Sequence, residues 1–197
     1  MSLNILFLGT PEFSVPTLEM LMKDFPHADI SVFTMPDKIR GRGSKLSPSP
    51  VKSLALSHKL SVFDAHTKSD LTDKIHQISP DLIIVVAFGM IIEKEITDQY
   101  FCINIHSSLL PKYRGASPIH TALLNGDDET GVTLIKMNEK MDEGDVLSQV
   151  KLPISSDDNL GSLTQKLSHL GADTLKSFIS NNFLSNRITL TPQDETM

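Results

Sequence analysis

The run Leu82-Ile83-Ile84-Val85-Val86-Ala87 constrains this chain more than any other stretch. It is unbroken, largely β-branched and far too short to cross a bilayer, so it has to be a strand buried on both faces. A strand of that kind sits at the centre of a parallel sheet with helices packed on either side. The rest of the chain must therefore supply alternating strands and helices.

It does. The segment Asn4-Ile5-Leu6-Phe7-Leu8 ends at Gly9-Thr10-Pro11 and is followed by Leu18, Leu21, Met22 and Phe25 at helical spacing, which predicts strand, turn and helix over residues 4–25. Residues 30–34 and the pair Val62-Phe63 predict further strands, and residues 51–60 a helix with prolines at its start. Residues 69–78 predict a helix with Ser69 as its N-cap, and residues 91–100 another. Residues 102–106 predict a buried strand, and 118–125 a short helix. Residues 131–137 and 145–152 predict an antiparallel pair. A long helix over 160–182 carries Leu160, Leu163, Leu167, Leu170, Leu175 and Phe178 along one stripe. The expected fold class is α/β, a doubly wound, mostly parallel Rossmann-like sheet.

Several chemistries are excluded. Gly9-Thr10-Pro11-Glu12-Phe13 is neither the G-x-G-x-x-G dinucleotide fingerprint nor a P-loop. No G-x-S-x-G elbow is present, and the seven histidines form no H-E-x-x-H pair. With one cysteine, Cys102, there is neither an internal disulfide nor a thiolate cluster, and no metal is expected. A formal charge of −6, from 18 basic and 24 acidic residues, argues against a surface made for nucleic acid throughout; any RNA contact has to be local. The N-terminus lacks the features of a signal or transit peptide, so a cytoplasmic protein without membrane contact is expected.

Chemistry enters at the strand over 102–106. Asn104 and His106 lie two apart, so they face one side near its carboxyl end, where open α/β sheets place ligands. An amide donor beside an imidazole suits an oxyanion formed when a carbonyl is attacked. Downstream follow Ser108-Leu109-Leu110-Pro111 and then Asp142-Glu143-Gly144-Asp145. The order N-x-H, S-L-L-P, D-x-G-D resembles the folate-dependent formyltransferases. The resemblance implies that Asn104, His106 and Asp142 take the catalytic positions, and that Ser108, Leu109, Leu110 and Pro111 take those of the folate-binding segment. It also implies 10-formyltetrahydrofolate as co-substrate. A carboxylate near His106 would favour the imidazolium, a better partner for a developing oxyanion.

That family serves several acceptors: methionyl-tRNA, an amino-sugar nucleotide or glycinamide ribonucleotide. Residues 36–50 hold Lys38, Arg40, Arg42 and Lys45 against the single acid Asp37. Cations on a Gly-linked loop suit an RNA backbone. The resemblance thus implies initiator methionyl-tRNA as partner, for translation initiation, with Arg42, Arg40 and Lys45 as tRNA contacts. Phe13 is a candidate for the acceptor pocket. The matching family members continue into a β-barrel, so the expected organisation is a catalytic domain over 1–182 and the start of a linker over 183–197, in a monomer. The alternatives are a small-acceptor formyltransferase of the same family and a folate- or RNA-binding remnant without turnover.

Overall fold

The computed structural model describes residues 2–40 and 45–194, with the backbone alone at Ile39, Arg40 and Lys45. Two compact units divide the chain, residues 1–102 and 103–197.

In the first unit, β1 (Asn4–Gly9) leads through a 3-10 turn, Glu12–Ser14, into α1 (Val15–Asp24). Then come β2 (Asp29–Thr34), the short strands β3 (Lys38–Arg40) and β4 (Lys45–Ser47), α2 (Pro50–Ser57), β5 (Ser61–Asp64), α3 (Lys68–Ile78), β6 (Leu82–Val86) and α4 (Lys94–Gln99). β1 pairs in parallel with β2 on one side and β6 on the other, and β2 pairs in parallel with β5. The chain therefore reverses its direction across the sheet between β1 and β6, at a topological switch point. Every residue of β6 is buried, as its continuous apolar sequence demands. Beyond it Ala87 enters the left-handed region, φ +47°. Two hydroxyls tie the strand ends together: Ser14 Oγ donates to Val86 O at 2.6 Å and Thr10 Oγ1 to Phe88 O at 2.9 Å.

Two local expectations are corrected here. The N-cap of α3 is Thr67, whose side chain accepts from the Asp70 N–H, and not Ser69. Thr67 has the extended backbone that a cap requires, whereas Ser69 already lies inside the helix. The basic segment is not simply a loop. β3 and β4 form a separate antiparallel ribbon with Ile39 opposite Leu46 and Arg40 opposite Lys45. Three-residue strands are too short to show an alternating pattern, so the ribbon carries no periodicity that a sequence reading can detect. Lys52 of α2 forms ion pairs with Asp37 and Asp64, both at 2.9 Å, at the foot of this ribbon.

The second unit holds β7 (Cys102–His106), α5 (Pro118–Asn125), β8 (Glu129–Lys136), β9 (Asp145–Pro153) and α6 (Leu160–Phe178), the last continuing into a π-helical turn, Ile179–Phe183. β8 pairs antiparallel with both β7 and β9, with a bulge between Leu134 and Ile135. The expected hairpin is present, and β7 joins it. α6 starts in a capping box, Asn159 with Ser162, and lies against β8 and β9. Asp158, beside that cap, accepts from Lys166 at 2.7 Å and from Ser162 at 2.7 Å; with Lys166 as the main cause, its carboxyl is held down to about 2.

Gly171 of α6 sits over β7, and a Cβ there would fall 2.9 Å from Ile105 Cγ2. Because the contact is buried, Gly171→Leu is expected to lower stability by about 1–3 kcal/mol through overpacking. A fall in the urea midpoint at unchanged slope checks this.

Candidate active site

The end of β7 is the centre of the site. Asn104 stands opposite Ile135 of β8 and His106 opposite Thr133, so the two polar side chains share one face. The β8–β9 turn delivers the third group. Asp142 accepts from Asn104 Nδ2 at 3.1 Å through Oδ1 and from the Gly115 backbone N–H at 2.9 Å through Oδ2. His106 Nδ1 lies 3.6 Å from Oδ1. The side chains of His106 and Asp142 are 7% and 12% exposed, so this charge is screened by little water.

The two sides of the imidazole differ. Nε2 is 2.9 Å from the Tyr113 carbonyl, which only accepts, so Nε2 carries the proton. Nδ1 is then the nitrogen turned to Asp142. Tyr113 has φ +59°, a conformation that aims its carbonyl at the imidazole. Its phenol donates to Asp127 at 2.6 Å, and that carboxylate raises the tyrosine's pKa above the ordinary value.

The Asp142 turn needs its glycine. A Cβ on Gly144 would overlap the Lys136 carbonyl oxygen across the hairpin. Asp142 itself has φ +55°, where short polar side chains are better tolerated than most.

The S-L-L-P segment is fastened from beneath. Ser108 Oγ donates to Lys112 O at 2.5 Å, and Ser108 and Leu110 are buried, whereas Leu109 and Pro111 are half-buried. The Leu110-Pro111 peptide is cis. Thr133 Oγ1 donates to Ser108 O at 2.7 Å and accepts from Leu110 N at 3.1 Å and Gln149 Nε2 at 2.9 Å. Gln149 also donates to Leu110 O at 3.0 Å.

The remaining candidates lie in the first unit. Phe13 is half-buried in the turn after β1, and the backbones of Arg40 and Lys45 face one another across the ribbon. Arg42 lies outside the described residues. Among the described residues no group of three or more His, Cys, Asp or Glu side chains is arranged to hold a metal, and no helix is long and apolar enough to cross a membrane.

A carboxylate, an imidazole and an amide thus converge at the end of a strand in an α/β fold. The family model described as formyl transferase covers residues 3–179, and the chain belongs to that family. Its sequence is 43% identical over 198 residues to the methionyl-tRNA formyltransferase of Alkaliphilus oremlandii, covering 98% of this chain and 63% of that protein. It is 45% identical over 183 residues to the enzyme of the same name from Ehrlichia ruminantium, covering 91% and 60%. The chain thus spans less than two thirds of the length of these curated relatives. The fold is that of the phosphoribosylglycinamide formyltransferase of Coxiella burnetii, with a TM-score of 0.77 at 21% identity over 98% of this chain and 96% of that one. The expected α/β class holds.

Sequence reasoning missed Tyr113, Gly115, Thr133 and Gln149 as partners of the site. Only Thr133 carried a signal, a hydroxyl at a buried position of an apolar strand. Thr133→Val keeps the shape but deprives the buried Leu110 N–H of its acceptor. A loss of about 1–3 kcal/mol in urea unfolding is expected.

Proposed function

We propose that this chain transfers the formyl group of 10-formyltetrahydrofolate to the amino group of initiator methionyl-tRNA. The observation that carries this reading is the convergence of Asn104, His106 and Asp142 within hydrogen-bonding and ion-pairing distance.

The neutral amine attacks the formyl carbon, forming a C–N bond and a tetrahedral oxyanion. Asn104 uses one amide N–H on Asp142 and has a second for that oxygen. When protonated, His106 presents Nδ1–H on the same side, with Asp142 to stabilise its charge. Collapse of the intermediate breaks the bond to N10 of the folate. The proton lost by the attacking nitrogen passes through Asp142 and His106 to N10, so tetrahydrofolate leaves neutral at that atom and the product is the formamide. No covalent enzyme intermediate is involved.

Leu109 and Pro111 are the members of the S-L-L-P segment with surface to offer the folate, and Ser108 and Leu110 hold the segment in place. The acceptor reading rests on the 41–45% identity to proteins named methionyl-tRNA formyltransferase and on the basic cluster Lys38, Arg40, Arg42 and Lys45. Phe13 is proposed for the methionine side chain. Residues 1–182 form the catalytic domain of this reading, and 183–197 are assigned to a following segment, of which Thr191 and Gln193 lie against the start of β9 and the Asp142 turn.

Asn104→Ala is expected to lower kcat by about 10²–10³-fold, the effect of one lost oxyanion donor. Folate binding measured by calorimetry should stay within a few-fold; unchanged turnover removes the assignment. Arg42→Ala is expected to weaken methionyl-tRNA binding and to reduce the slope of log K against log salt by about 1. An unaltered slope speaks for a small acceptor.

A further inference from the structure

Residues 191–194 do not hang free of the site. Thr191 and Val146 exchange backbone hydrogen bonds of 2.7 and 3.0 Å, which brings Gln193 beside the Asp142 turn. Gln193 Nε2 then donates to Asp142 O at 2.7 Å and to Gly144 O at 2.9 Å. Its Oε1 accepts from Arg114 Nε at 3.0 Å and Nη2 at 2.7 Å. Both amide N–H groups and both lone pairs of the oxygen are used. The network also decides the orientation of the amide, because the reverse would set an oxygen against two carbonyls and an NH₂ against a guanidinium.

The two segments joined by Gln193 are the two that hold the catalytic groups. One is 113–115, where the Tyr113 carbonyl orients His106, the Gly115 N–H holds Asp142, and Arg114 lies between them. The other is 142–144, which carries Asp142 in a left-handed conformation and spans its glycine. A left-handed Asp persists only where its surroundings over-determine it. The Gln193 amide supplies that restraint at the carbonyl of Asp142 itself.

We propose that Gln193 is a positioning residue for the transfer reaction: its amide splints the 142–144 turn to Arg114 and holds the Asp142 carboxylate against Asn104, His106 and the Gly115 N–H. This rests on the reading of Asp142 as catalytic. Gln193 touches no reacting atom and acts through Asp142.

The test uses the full 197-residue chain with Gln193→Ala and Gln193→Glu, each checked for a retained thermal transition. Gln193→Glu keeps the length and the attraction to Arg114 but loses both N–H donors, so it separates the splint from simple anchoring. Both variants are expected to lower kcat for formyl transfer to methionyl-tRNA by roughly 10- to 100-fold, with KM for 10-formyltetrahydrofolate within about twofold, as misplacement of one group predicts. On an Asp142→Ala background, Gln193→Ala should cause no further loss. Hydrogen exchange of the Gly115 amide should rise by about tenfold in both variants, a readout that does not require turnover.

Wild-type turnover and exchange in Gln193→Glu would overturn the proposal, as would additive losses in the cycle. Absence of transfer by the wild type would overturn the functional reading instead, and Gly115 exchange would still decide whether Gln193 holds Asp142.

Discussion

One largely buried carboxylate organises the second unit. Asp142 is 12% exposed, and a charge so far withdrawn from water is costly unless donors surround it. Asn104, the Gly115 N–H and His106 face it from three directions. The demand runs both ways, because the same contacts that satisfy Asp142 set the rotamer of Asn104 and the ring of His106. A site that must stabilise transient charge without reorganising needs this kind of preset arrangement.

Holding it requires unusual backbone. Asp142 and Tyr113, one on each side of His106, both have positive φ. Each such residue costs of order 1–3 kcal/mol and survives only where neighbouring bonds enforce it. The enforcement is visible: the Gln193 amide at the Asp142 turn, the Asp127 carboxylate at the Tyr113 phenol, and the close approach of Gly144 to Lys136. Beneath the S-L-L-P segment, Thr133 and Gln149 do the same for backbone groups that belong to no strand ladder. Polar side chains on β8 and β9 thus substitute for regular secondary structure where the chain turns away from the sheet.

How much could be read in advance follows from what each feature depends on. β6 was legible because six adjacent apolar residues leave a chain no other use for them. Asn104 and His106 were legible as a pair because the two-residue period of a strand puts them on one side, whatever the rest of the molecule does. The hairpin turn bearing Asp142 was legible from its glycine. The β3–β4 ribbon was not, since three residues per strand establish no period, and Thr67 was missed as a cap because Ser69 is an equally good cap by composition. Gln193 was hidden most completely: an amide among the polar residues of a tail has no local signature, and its partners are 49, 51 and 79 residues away.

The sequence by itself determined the α/β class, the parallel core strand, the pairing of Asn104 with His106 and the membership of Asp142 in the same motif, because each follows from neighbours along the chain or from a pattern spanning a few tens of residues. Only the tertiary structure decided which imidazole nitrogen faces Asp142, that Ser108 and Leu110 are spent inside the protein, and that residues 191–193 return to the Asp142 turn. Those outcomes depend on distance and direction between groups far apart in the chain. A linear order of residues specifies such geometry only through the folded balance of buried donors and acceptors.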